Sequence, residues 1–185
     1  MAVLDILKMG HPTLKLVASR VEEPNAPDIS ALAGDMRDTL EDIGGAGLAA
    51  PQVDVSLRLV VYRVAAERIP PGASQEPVDW TTMVNPVVTP LTVERRHIWE
   101  RCLSIPDFYG RVARHTRVRV DFQTLKGEFT TRVANGFHAM ILQHECDHLD
   151  GVLYPMRMDD LSQLTYASEF VKPGAIYRFS AAEFD

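Results

Sequence analysis

Cysteine is scarce in this chain: Cys102 and Cys146 are the two present among 185 residues. Two thiols imply no disulfide framework and sit comfortably in a reducing compartment. Positive charge is in deficit as well, with 19 Lys and Arg against 25 Asp and Glu and a formal net charge of -6. General nucleic-acid binding, which depends on positive charge, is therefore not expected, although a local basic strip could still contact RNA. No apolar run approaches the length of a membrane span, and Met1 to Lys8 lacks a basic region followed by a sustained apolar stretch. Internal repeats and low-complexity tracts are missing too. The expectation is a soluble, cytoplasmic protein with no membrane partner.

What is present is ordinary in bulk: 46% of residues are hydrophobic and 24% charged, as in globular proteins. The length suits one domain, 1–185, able to bury a core. The unusual stretch is Gln143-His144-Glu145-Cys146-Asp147-His148. Two histidines four residues apart project from one face of a helix, one turn apart, toward a single metal ion, and the glutamate after the first sits beside that ion without binding it. The flanks predict the helix. Asn135 is a suitable N-cap, Phe137, Met140, Ile141, His144 and His148 keep helical spacing, Gly151 stops the helix and Pro155 prevents a restart. Ala139, Leu142, Cys146 and Leu149 make the opposite side apolar as well, so the element is expected to be buried nearly all round. Two imidazoles and a carboxylate in such a place are costly without a partner, which favours a metal over a chance match.

Upstream, Ile29, Leu32, Ala33, Met36, Leu40 and Ile43 keep helical spacing after a start at Pro27-Asp28. Gly44-Gly45-Ala46-Gly47 ends that helix, leaving Leu48 to Gln52 extended or turning, with backbone free to approach another group closely. Leu57 to Val64, Met83 to Val88, Thr92 to Trp99, Val112 to Phe122 and Phe129 to Val133 read as strands, and Ala65 to Asp79, with Pro70, Pro71, Gly72 and Pro77, as the longest loop. Arg111, Arg114, Arg117 and Arg119 read as a solvated sheet face. Asp159 or Asp160 could cap a short helix through Leu161, Leu164 and Ala167. Many strands before one buried helix, without βαβ alternation, predict an α+β fold.

Two histidines leave a tetrahedral ion short of ligands, since catalytic sites commonly supply three. A third histidine at the spacing of the long peptidase motif is absent, because Tyr154 stands there. Glu169 could complete a zinc peptidase with His144 and His148. Cys102, in Glu100-Arg101-Cys102-Leu103-Ser104, is the other option, although a lone cysteine is more often a small buried hydrophobe.

Gly45-Ala46-Gly47-Leu48-Ala49-Ala50-Pro51-Gln52 resembles the G-x-G-L-A-A-P-Q motif of peptide deformylases, Cys102-Leu103-Ser104 their E-G-C-L-S motif, and Gln143 to His148 their Q-H-E-x-D-H. Three motifs in order are far more specific than any one. The resemblance implies antiparallel or mixed sheets wrapped round the central helix. It implies one divalent metal held by Cys102, His144 and His148, usually iron(II), with zinc, nickel or cobalt able to replace it. It further implies a hydrolase that removes the formyl group from the N-terminal methionine of new polypeptides, releasing formate. The substrate would be an N-formylated peptide, and the site of synthesis allows transient ribosome contact.

In that chemistry a metal lowers the pKa of water and Glu145 acts as general base and then acid. The side-chain amide of Gln52 and the backbone N–H of Leu103 would steady the developing oxyanion. Gly47 would let backbone come close to an extended peptide, and Phe137, Met140 and Ile141 would line the methionine pocket, for which plain core packing is the competing explanation. Glu100 and Arg114 also match family positions and would form a supporting ion pair. Asp147 and Asp150 would be structural, orienting a ligand histidine or capping backbone. Arg101 replaces the glycine usual before the ligand cysteine, and Tyr109 stands where bacterial members often have arginine. These departures leave room for a specialised relative acting on another formamide.

Overall fold

A computed structural model describes residues 2–69 and 75–170. Pro27 opens helix α1 (Pro27–Asp42), its fixed φ suiting the first helical position, and Ile29, Ala33, Met36 and Leu40 form the buried stripe. The Gly-rich segment then leads into β1 (Gly47–Ala49), a short turn over Ala50–Val53, and β2 (Leu59–Val64). Long β3 (Val78–Pro90) begins five residues before the expected strand. Pro70, Pro71 and Gly72 of the expected loop lie outside the described residues, but the flank Ala66–Arg68 forms one 3-10 turn.

β4 (Arg95–Cys102) and β5 (Ile105–His115) form a hairpin, followed by β6 (Arg117–Gln123), β7 (Phe129–Asn135) and helix α2 (Gly136–Leu149). The single strand expected over Val112 to Phe122 is in fact two. The chain turns at Thr116, so β5 and β6 enter different sheets. The short helix expected through Leu161 and Ala167 is likewise replaced by a 3-10 turn (Leu161–Gln163), β8 (Thr165–Tyr166) and the four-residue α3 (Ala167–Phe170). Pairing of β8 with β5 outweighs the weak helical spacing there.

The strands form a five-stranded sheet, β1-β2-β3-β6-β7, and a three-stranded one, β4-β5-β8. All named strand pairs are antiparallel, and Ser19 with Leu57 adds an isolated parallel bridge. β2 is covered on both faces, which accounts for its apolar run from Leu59 to Tyr62. Val60, Tyr62 and Val64 pack with Ala139, Leu142 and Leu149 of α2, while Leu59 and Val61 pack with Met36 and Leu40 of α1. α2 touches β1, β2, β3, β6 and β7 of the larger sheet and β5 of the smaller one, and 13 of its 14 residues are buried. The fold is thus α+β, with the expected central helix inside it.

The ends of α2 are made differently from the expected cap. The Asn135 side chain makes no capping bond, and the Gly136 N–H donates instead to the Thr116 carbonyl. Gly151 does stop the helix, at φ +69°, where a Cβ would meet the Lys15 carbonyl oxygen at 2.6 Å.

Candidate metal centre

α2 presents His144 and His148 from one face, and the end of β4 brings Cys102 to them. Their ligand atoms all lie within 4.8 Å of one another, and all three residues are buried. Cys102 Sγ stands 3.3 Å from His148 Nε2. His144 Nδ1 is 2.7 Å from Glu100 Oε2. Burial pushes the Glu100 carboxyl up, but Arg114 and His144 hold it down at about 2, so it is ionised and can only accept. His144 therefore donates from Nδ1 and turns Nε2 toward the sulfur and the second imidazole, as metal-bound histidines do.

The donor set fits a borderline-soft divalent ion: one sulfur, two imidazole nitrogens, no hard oxygen. Burial opposes charge at Cys102, yet the neighbouring His148 and His144 hold its thiol well below the ordinary value. Burial likewise opposes protonation of His144, while Cys102 and Glu100 hold it well above its usual range. Each group is thus biased toward its charged form, and a cation taking the place of the proton between them would satisfy both, with release of protons. Cys146, in contrast, is pushed up by burial and lies away from the ligand face, packing in the core.

Glu145 is 5% exposed, and its Oε2 is buried without a hydrogen-bond partner among the described residues. Burial raises its pKa, with His144 and His148 opposing. Gly47 explains how β1 comes so near: a Cβ there would overlap the Glu145 carboxylate, reaching Cδ at 2.6 Å and Cγ at 2.7 Å. Gln52 is fixed at both ends of its amide. Its Oε1 accepts from the Ala49 N–H at 2.9 Å, and its Nε2 donates to Ser104 Oγ at 3.2 Å and lies 3.7 Å from Cys102 Sγ. The N-terminal segment ties both flanking loops, through Leu7 N–H to the Gln52 carbonyl (2.8 Å), Met9 N–H to Ser104 (2.8 Å) and Lys8 Nζ to Leu103 (3.0 Å).

A cleft of about 500 Å³ opens over these groups, and Gly47, Gln52, Leu103, Phe137, Met140 and Ile141 all line it with Cys102, His144 and Glu145. Every expected site residue except His148 thus borders the opening, and His148, 1% exposed, closes the centre from behind. Glu169, the alternative third ligand, is exposed on α3 and is not in the group that converges.

Behind the centre, the reading of four arginines as a solvated face is corrected at one position. Arg117 and Arg119 are exposed, but Arg114 is 4% exposed and pairs with Glu100 at 2.6 and 3.0 Å and with Asp147 at 2.6 Å. Its inward parity, shared with Val112, was the local signal, and the ion pair with Glu100 is the one the resemblance implied. Asp147 also receives Arg157 at 2.8 Å, so it supports His144 only through Arg114 and Glu100. Asp150 pairs with Arg58 at 2.7 Å, outside the centre. Arg68, Ile69 and Trp99 line the cleft without any local sequence signal.

Comparison with known proteins agrees with this geometry. The family model for polypeptide deformylase matches residues 3–164. Peptide deformylase 1 of Nitrosomonas europaea is 47% identical over 161 residues, covering 87% of this chain and 90% of the relative. Peptide deformylase 1 of Bordetella pertussis is 44% identical over the same shares. Among solved structures, the Met-Ala-Ser-bound class I type b peptide deformylase of Acinetobacter baumannii superposes with a TM-score of 0.78 at 37% identity, covering 85% of this chain and 99% of that one. The Ehrlichia chaffeensis peptide deformylase in complex with actinonin gives 0.79 at 30% identity, covering 88% and 92%.

Proposed function

We propose that this chain, which belongs to the polypeptide deformylase family, holds one divalent metal through Cys102, His144 and His148 and uses Glu145 to move protons beside it. It is a metal-dependent hydrolase that removes the N-formyl group from nascent polypeptides and releases formate. The observation that carries the site assignment is the convergence of one thiol and two imidazoles within 4.8 Å, next to a carboxylate whose buried Oε2 has no described partner. When bound, the ion supplies an activated water and polarises the formyl oxygen.

The chain's own groups do the rest. Glu145, whose carboxylate burial makes more basic than usual, takes the proton of the attacking water and returns it to the departing nitrogen, which must be protonated to leave. The Gln52 amide, locked by Ala49 and Ser104, and the Leu103 N–H offer fixed donors to the charge that collects on the formyl oxygen. Phe137, Met140 and Ile141 give the methionine side chain an apolar wall, and Gly47 admits peptide backbone close to Glu145. Glu100 fixes the tautomer of His144 and is itself held by Arg114.

The metal in this reading is iron(II), which a thiolate and two imidazoles accept, as they do zinc, nickel or cobalt. The whole chain acts as one catalytic unit in the cytoplasm, meeting formylated chains in transient contact with the ribosome. No described helix is long and apolar enough to cross a membrane. The test is formate release from formyl-Met-Ala-Ser by protein prepared without oxygen, alongside an internal peptide bond as control. Formate with no internal cleavage is the expected result. Internal cleavage without formate would overturn the reading.

A further inference from the structure

Along the rim of the cleft the charge balance runs against that of the chain as a whole. Arg68 and Arg101 both line the cleft, with Glu67 as the acid beside them. Arg101 also lines an adjoining groove of about 310 Å³, where Lys8 joins it and Asp107 is the acid. The two openings share Arg101, Cys102, Leu103 and Tyr109, so they form one path: Glu100 and Glu145 are buried at its floor, and along its rim Lys8, Arg68 and Arg101 face Glu67 and Asp107, a local excess of cations in a chain whose net charge is -6.

The cations on this path are not equivalent. Lys8 is bonded to the Leu103 carbonyl and Arg68 to the Gly44 carbonyl. Arg101 is exposed, with no hydrogen-bond or ion-pair partner among the described residues. Burial first, and then the charge of Arg101, lower the pKa of Arg68, so the two guanidinium groups sense each other. Glu67 offsets this only in part, and the remaining repulsion between like charges is relieved when a further anion arrives beside them.

Position in the chain says which part of a substrate would bring that anion. Arg101 directly precedes Cys102, on the strand that ends at the metal centre. An extended peptide advances about 3.3 Å per residue. Arg101 also lines the adjoining groove, which Phe137, Met140 and Ile141 do not, so with the formyl group at the metal and the methionine side chain on the apolar wall, a peptide that leaves along that groove carries its next two residues past Arg101. We propose that Arg101, with Arg68 beside it, selects formyl-methionyl peptides that carry aspartate or glutamate at the first or second position after the methionine. The proposal rests on the deformylase reading and names the substrates that site prefers.

The experiment compares kcat/KM for formyl-Met-Asp-Ser, formyl-Met-Ala-Ser and formyl-Met-Lys-Ser in the metal-loaded enzyme and in its Arg101→Gln and Arg101→Glu variants. The native enzyme is expected to favour the aspartyl over the lysyl peptide by about fivefold, the range of a partly exposed charge pair, and to lose the preference at high salt. Arg101→Gln should bring the ratio near one, and Arg101→Glu should invert it. Formate from all three peptides at equal kcat/KM, or a preference that survives both substitutions, overturns this proposal while leaving the deformylase reading intact. No formate from any peptide overturns the deformylase reading instead.

Discussion

Behind Cys102, His144 and His148 and at the rim of the same cleft, charged side chains are held on different terms. Arg114, 4% exposed, is tied to both Glu100 and Asp147; Glu100 holds His144, and Asp147 takes a second arginine, Arg157. At the rim Arg101 stands in solvent, and Tyr109 lies in a stacked contact with Phe170 at 4.4 Å. The reason is dielectric. A buried charge without its partner costs several kcal/mol, so the wall is fixed as a unit, whereas an exposed cation costs little to place or to exchange. One cleft thus joins a wall that tolerates little change to a rim that can drift with substrate preference.

The largest effect should come from Glu145, whose Oε2 is buried without a hydrogen-bond partner among the described residues. Glu145→Gln is expected to keep its metal and lose about 10²–10⁴-fold in kcat, read as formate release beside metal content. Turnover near the native value would show that the Glu145 carboxylate moves no proton. Glu100→Gln tests the supporting pair: metal affinity should fall by about 10–100-fold, measured by chelator competition, since His144 loses its orienting acceptor. An unchanged affinity would mean that the wall is less coupled than its distances suggest.

A smaller effect is expected from His138, which sits earlier on α2 with Nε2 3.2 Å from the Tyr62 hydroxyl. Burial, with Arg132 adding to it, lowers its pKa to about 4 from the ordinary 6.5. Between those values the unfolded chain binds the proton and the folded one does not, so stability is lost as pH falls below 6.5 and the loss is complete near 4. The slope amounts to about 1.4 kcal/mol per pH unit in that window. Denaturant midpoints for the native protein and His138→Gln should diverge on acidification, with the variant flatter. Parallel curves would remove His138 from the account.

The convergence of Cys102, His144 and His148 was legible because its signals are local or modular. His144 and His148 announce themselves at helical spacing, Gly151 marks the stop, and Cys102 enters through resemblance in a separate motif. The pairing of Glu100 with His144 joins residues 44 apart in sequence, and no periodicity encodes it. The break at Thr116 was hidden for a related reason: no glycine or proline marks it, and it exists because β5 and β6 belong to different sheets. By pattern alone Arg114 looked like its exposed neighbours; the resemblance paired it with Glu100, as the structure does, but its second bond, to Asp147 of α2, had no signal in the sequence. Arg68 reaches the cleft from a turn after β2 that nothing in its own neighbourhood distinguishes.

The central claim, that a thiolate from β4 shares one cation with two imidazoles of α2, is tested most directly by the metal content of Cys102→Ala, purified without oxygen beside the native protein. The account predicts one ion per native chain and, in the variant, loss of the ion together with formate release. A variant that retains a full equivalent of metal and native turnover would contradict it.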